Sequence, residues 1–303
     1  MKIRDNQQYK LWCNFRSDGF FQKLRSALKV IFCFIPAMFF VSQGWADSRC
    51  SERSKTFLVP GQITCSYRSL TLPSSALTQR EVKYELPLGQ PPAGGWPVAI
   101  VYQGSLFPVE FSRTTSAPFG GFYELKTIKK LLDNGYAVLA PRAPAELAWL
   151  TNAATVVSDN LYHTTTDYTF LTNVLQAIKD GAFGPLNPDR QYATGISSGG
   201  YNSSRMAVSF PGEFKALVIH SGSYAECLGP VCVVPLQLPD DHPPTYFIHG
   251  LVDTIVPWST MDSYYDRLRW EGITSDRHTN TLGGHEWFPE SANLVFNWFE
   301  RFQ

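Results

Sequence analysis

The sequence predicts an α/β fold, a mostly parallel central sheet with helices on both faces. Three observations lead there. Apolar runs such as Pro97–Tyr102 (PVAIVY) and Ala216–His220 (ALVIH) lack polar alternation, as expected of strands covered on both sides. These runs alternate along the chain with segments of helical periodicity. Finally, Gln191–Pro211 reads as a short strand, a sharp Gly195-Ile196-Ser197-Ser198-Gly199 turn and a helix that stops at Pro211-Gly212. That is the strand–turn–helix setting a G-x-S-x-G serine requires, with small residues two places either side of a strained position.

Taken in order, residues 47–80 are rich in Ser, Thr and Pro and are expected to form an irregular leader. Val82–Leu86 alternates like an outer strand, and 88–96 is a turn-rich connection to the buried strand at Pro97–Tyr102. Tyr123–Asn134 sets Leu125, Ile128, Leu131 and Leu132 at helical spacing, with Gly135 as a stop. Ala137–Ala140 is the next buried strand, followed by a long, rather apolar excursion over 141–163. Thr166–Asp180 reads as a helix with Phe170, Val174 and Ile178 on one face. After the Ser197 turn and helix, strands are expected at Ala216–His220, Thr245–His249 and Ser275–Leu282. Helices are expected at Met261–Glu271 and Ser291–Phe302.

The 303 residues are 44% hydrophobic and 17% charged, which suits one sizeable globular domain or at most two. Formal charge is zero, but residues 1–29 carry +5 and the remainder −5, which argues against nucleic acid as a partner. The basic segment leads into Val30–Val41, twelve mostly apolar residues, and then to Ser42–Ala46. This is the pattern of an export signal, and its apolar part is short of the roughly 20 residues a membrane-spanning helix needs. We therefore expect a signal peptide over 1–46, a single domain over 47–303, a secreted location and no stable membrane insertion. Cys50, Cys65, Cys227 and Cys232 remain after such a cut, and an even number in an exported chain points to two disulfides. Proximity favours Cys50–Cys65 and Cys227–Cys232. No second Cys pair or close His pair completes a four-ligand zinc site, so disulfides are the expected use of these cysteines.

A serine nucleophile needs a base and a group that orients the base. In this kind of fold the order is Ser, then Asp, then His, each at the end of a later strand. Of six histidines, His163 precedes Ser197, His220 and His249 come before a suitable acid, and His242 sits in a Pro-rich loop. Asp253 lies on the loop after Thr245–His249, whereas Asp262 and Asp266 fall on a helix as surface charges. His278 belongs to the last strand pattern, but His285 lies in Leu282-Gly283-Gly284-His285, a flexible loop between the last strand and the terminal helix. The expected catalytic set is Ser197 as nucleophile, His285 as base and Asp253 as orienting carboxylate. The expected oxyanion donors are the N–H groups of Ser198 and Gln103, with Gly104 as the neighbouring candidate.

The stretches GISSGGYNSSRMAVSFPGEFKALVIHSGSYAEC, VYQGS, IHGLVDTIVPW and LGGHEWF together resemble the bacterial extracellular depolymerases of medium-chain-length polyhydroxyalkanoates. The resemblance covers most of residues 47–303. It implies an α/β-hydrolase fold, secretion, a triad at the positions of Ser197, Asp253 and His285, and polyester hydrolysis to hydroxyacid monomers and oligomers without cofactor or metal. Short-chain depolymerases carry a linker and a polymer-binding domain that have no counterpart here. The domain's own surface is then expected to hold the hydrophobic polyester. Loop aromatics near the site include Phe107, Phe119, Phe122, Trp149, Trp258 and Trp287. Phe107, Trp149 and Trp258 are the expected substrate-binding rim, with Trp149 foremost. Read without the resemblance, the residues reach only a secreted serine esterase. A general lipase or carboxylesterase of the same fold stays open, as does a catalytically silent polymer-binding module.

Overall fold

The computed structural model describes residues 48–56, 59–152 and 158–303; the expected signal peptide lies outside them. Strands β1 (Cys50–Arg53), β2 (Gln62–Cys65), β3 (Arg68–Pro73), β4 (Gln79–Glu85), β5 (Trp96–Tyr102) and β6 (Ser112–Arg113) precede helix α1 (Gly121–Asp133). Strand β7 (Ala137–Pro141) is followed by the single turn α2 (Asp159–Tyr162) and by α3 (Thr166–Lys179). Strand β8 (Leu186–Ile196) runs straight into α4 (Ser198–Ser209). The chain closes with β9 (Ala216–His220), β10 (Thr245–Gly250), α5 (Trp258–Trp270), β11 (Ser275–Asn280) and α6 (Ser291–Glu300).

The main sheet has the order β11-β10-β9-β8-β5-β7-β4-β3. Every neighbouring pair from β11 to β7 is parallel, while β4 and β3 add an antiparallel edge. Side chains of a strand alternate between faces, and the core divides accordingly. Val98, Ile100 and Tyr102 of β5 pack with Phe170, Val174 and Ile178 of α3 and Met206 of α4. Ala99 and Val101 of the same strand pack with Leu125, Ile128 and Leu131 of α1 and with Val295, Trp298 and Phe299 of α6. Burial on both faces is why these strands have no polar positions. Helix α3 starts on Thr165, whose hydroxyl accepts the Tyr168 N–H at 3.2 Å. Beyond β10, α5 buries Met261, Tyr264 and Leu268 against Ile219 and Phe247.

The leader is not irregular. Strands β1 and β2 form an antiparallel hairpin in which Cys50 and Cys65 face each other and are joined by a disulfide. Strand β6 pairs with β2, so Ser112 and Arg113 are brought from far along the chain to complete a small separate sheet. Strand β3 extends the main sheet, with Leu70 and Leu72 against its core. Four-residue strands such as CSER carry too little periodicity to be read locally, and their stability comes from these long-range pairings. The second expected bridge, Cys227–Cys232, also forms.

Candidate active site

Strand β8 ends on Ile196 and α4 begins on Ser198, so Ser197 alone makes the turn. It does so at φ 57° and ψ −120°, a conformation that residues with a side chain rarely adopt. Its own N–H donates to the His220 carbonyl at 3.0 Å, and its carbonyl accepts from Tyr201 N at 2.9 Å. A Cβ at Gly195 or Gly199 would collide with the carbonyl oxygen of Tyr102 at the end of neighbouring β5. The two glycines are thus required because two strand ends pass almost in contact. From β5 the chain crosses to β7 on one side, and from β8 to β9 on the other, so Ser197 stands at the topological switch point.

The other two candidates come from strand-end loops. Asp253 follows β10, and its Oδ2 accepts from His285 Nδ1 at 2.7 Å. The second oxygen accepts the N–H groups of Ile255 and Val256, each at 2.9 Å. His249 Nε2 lies 3.4 Å from Oδ2. Burial alone would raise the Asp253 carboxyl. The hydrogen bonds from His249 and His285, the imidazolium charge and the Val256 N–H instead hold it well below the usual carboxylate range. With Nδ1 committed to Asp253, His285 has Nε2 as its remaining ring nitrogen.

Ser197 and His285 line one cavity of about 220 Å³. Phe107, Phe119, Ile196, Ile255 and Trp287 give it apolar walls. Phe107 meets Phe119 edge-on at 4.9 Å, and Phe119 meets the His285 ring edge-on at 5.5 Å. Two polar residues that no sequence motif singled out, Arg113 and Glu124, also line it. Burial pushes the Glu124 carboxyl up to about 8, against the pull of Arg113 and the Trp287 indole N–H. A sequence signal for Glu124 did exist, since it sits one helical turn before Ile128, on the face of α1 that turns inward.

Of the expected rim, only Phe107 lines the cavity. Trp149 is completely buried: its indole N–H donates to the Gln103 carbonyl at 3.1 Å and its ring meets Tyr102 edge-on at 5.2 Å. Trp149 N also donates to Ser198 Oγ at 2.9 Å, so this tryptophan fastens the excursion beneath the site. Trp258 opens α5, with its indole N–H on Thr279 Oγ1 at 3.0 Å and the Arg277 guanidinium 5.1 Å from the ring centre. Gln103 is buried and braces the turn after β7, accepting from Ala143 N at 3.0 Å and donating to the Glu146 carbonyl at 3.1 Å. Gly104 and Ser105, not Gln103, reach the cavity. Among the described residues no cluster of three or more His, Cys, Asp or Glu is placed to hold a metal ion, and no helix is long and apolar enough to cross a membrane.

The fold is that of the α/β-hydrolases. It is shared with Pyrococcus horikoshii acylaminoacyl peptidase (TM-score 0.57, 16% identity, 79% of this chain and 42% of that one). A thermostable esterase aligns at TM-score 0.57 and 15% identity over 78% and 62% of the two chains. The chain thus spans less than two thirds of either protein. A fluorophosphonate-binding serine hydrolase of Staphylococcus aureus aligns at TM-score 0.53 and 14% identity over 77% and 98%. No family model matches the sequence. A sequence relative narrows the class. The chain is 60% identical over 255 residues to poly(3-hydroxyoctanoate) depolymerase of Pseudomonas fluorescens, covering 84% of this chain and 91% of the relative. It belongs to the polyhydroxyalkanoate depolymerase family and is a carboxylic ester hydrolase.

Glu124 gives the site a pH signature. In the folded chain its carboxyl holds a proton up to about pH 8, whereas unfolded it ionises near 4.5. Between those values the folded state binds the extra proton, so stability declines as pH rises from 4.5 to 8 and then levels off. Glu124→Gln should flatten this slope, gaining on the parent at pH 8 relative to pH 5 in urea denaturation. Parallel curves for the two proteins would show that no buried neutral carboxyl is present.

Proposed function

We propose that this chain is a secreted serine esterase that hydrolyses medium-chain-length poly(3-hydroxyalkanoate) through Ser197, His285 and Asp253. The observation that carries the reading is the 2.7 Å His285–Asp253 bond, in which His285 lines the same cavity as the strained Ser197. His285 Nε2 takes the Ser197 proton as Oγ attacks the ester carbonyl, and then passes that proton to the departing alkoxide of the hydroxyl-side chain. Water, deprotonated in turn by His285, cleaves the acyl-serine to release a carboxylic acid and restore Ser197. Asp253 keeps Nδ1 protonated and stabilises the imidazolium. Secretion is supported by the two disulfides, which persist in oxidising compartments.

Ser198 N–H, at the start of α4, is one oxyanion donor in this reading. Ser105 N–H replaces Gln103 N–H as the other. Residues 104–107 form a tight turn, with Phe107 N on the Gly104 carbonyl and Leu106 at φ 66°, the type II pattern. Leu106 N donates to the Leu147 carbonyl at 2.6 Å, while Ser105 N–H has no backbone acceptor among the described residues. The polymer would be held by aliphatic rather than aromatic side chains. Leu106 and Ile255 are exposed at the cavity. Exposed Leu251 and Val252 lie beside exposed Leu282, because Leu251 N and Val252 N donate to the Asn280 and Gly283 carbonyls. At roughly 25 cal/mol per Å² buried, such a rim supplies several kcal/mol of adhesion.

Ser197→Ala should lower kcat on a soluble p-nitrophenyl ester by about 10⁴–10⁶ while leaving the denaturation curve in place. A folded variant of near-parental activity would end the assignment. Proline suits the second position of a type II turn and has no N–H, so Ser105→Pro should cut kcat about 10²–10³ and Ser105→Ala should not. Equal rates for those two variants would place the donor elsewhere. Val252→Asp with Leu282→Asp should weaken adsorption to poly(3-hydroxyoctanoate) granules far more than it slows the soluble ester. Undiminished adsorption would locate the polymer surface on another face.

A further inference from the structure

Ester hydrolysis and aliphatic side chains account for the triad and the apolar walls, but not for Arg113 and Glu124. Arg113 stands on β6, where it pairs across to Ile63, and it packs against Gly121. Its Nε is buried without a hydrogen-bond partner. Glu124 rises from the first turn of α1 and is only 5% exposed. Among the described residues the two form no ion pair with each other of the length that salt bridges show here. Both residues nonetheless line the Ser197 cavity, and polar side chains in an otherwise apolar wall mark a place where a ligand brings a polar partner.

The chemistry of the polymer supplies such an acceptor. Each acyl unit of a poly(3-hydroxyalkanoate) carries an oxygen on C3, which is part of the ester to the preceding unit, or a hydroxyl at the chain end. The interior ester oxygens accept hydrogen bonds and donate none. A plain fatty-acyl chain offers only a methylene there, leaving the donors unpaired. We propose that Arg113 and Glu124 form a polar subsite for the C3 oxygen of the acyl unit, so that the cavity selects 3-oxygenated acyl esters over plain fatty-acyl esters. The proposal rests on the reading of Ser197 as nucleophile and adds the source of its substrate preference. A site built around a hydrogen bond rejects the analogue that lacks the partner more strongly than a greasy pocket rejects a missing methylene.

The test compares kcat/KM of the purified full chain on p-nitrophenyl octanoate and p-nitrophenyl 3-acetoxyoctanoate, whose acetoxy group mimics the preceding repeat. The parent should favour the acetoxy ester by about tenfold or more, the range one hydrogen bond to a charged or buried donor supplies. Arg113→Met and Glu124→Leu should bring the ratio toward one. Glu124→Gln, which keeps an N–H donor in place, should retain most of the preference. Arg113→Lys keeps the charge but loses the planar fork of guanidinium N–H donors, and should lose the preference; this variant decides the matter if Arg113→Met does not fold. No preference in the parent, or a proportionate fall on both esters in the variants, would make the pair a packing anchor for α1 and overturn the proposal. Failure of the parent to cleave either ester would instead strike at the esterase reading itself.

Discussion

The close approach of the β5 and β8 ends is the constraint on which the site depends. There is no room for a side chain between Tyr102 and the Gly195–Gly199 turn, so β8 reverses into α4 through one strained residue. That strain persists because the surroundings hold it from several directions. His220 accepts the Ser197 N–H, Met206 packs beneath with Tyr102, and Trp149 ties Ser198 to the peptide of Gln103. The geometry of the Ser197 turn is therefore a by-product of sheet packing, and the loops need only bring their groups to a point already set.

Two carboxyl groups near Ser197 show how surroundings decide charge. Both are largely buried, and burial by itself favours the neutral acid. Asp253 receives donors on both oxygens, from two backbone N–H groups and from His285, and stays ionised. Glu124 has no such cradle, and the partial attraction of Arg113 and Trp287 does not offset its desolvation. The same chemical group, a carboxyl, is thus a fixed anion beside His285 and a neutral acid at the cavity wall.

How much of this the sequence disclosed follows from where each signal is local. Strands β5, β7, β9 and β10 were legible because burial on both faces leaves unbroken apolar runs, and α1 and α3 because their stripes repeat. The meeting of Asp253 with His285 was legible because chain order on such a sheet leaves few places for them. Boundaries slipped where polar residues continue a strand, as in β8 from Leu186 and β4 from Gln79. Trp149 misled because loop position says nothing of burial; a bulky ring with one donor gains most where both are satisfied, which for Trp149 is inside, while the half-buried Trp258 lies off the Ser197 cavity. Glu124 could be placed on the inward face of α1, but Arg113 could not be placed beside it, since that needs β6 to pair with a hairpin some fifty residues earlier.

That hairpin is the clasped one. Arg113 is held by β2, β2 by β1, and the Cys50–Cys65 bridge closes β1 onto β2. A wall of the Ser197 cavity is therefore anchored through a disulfide, a bond that persists where thiols are oxidised. If the chain is exported as proposed, its pocket would take its final form only after leaving a reducing interior.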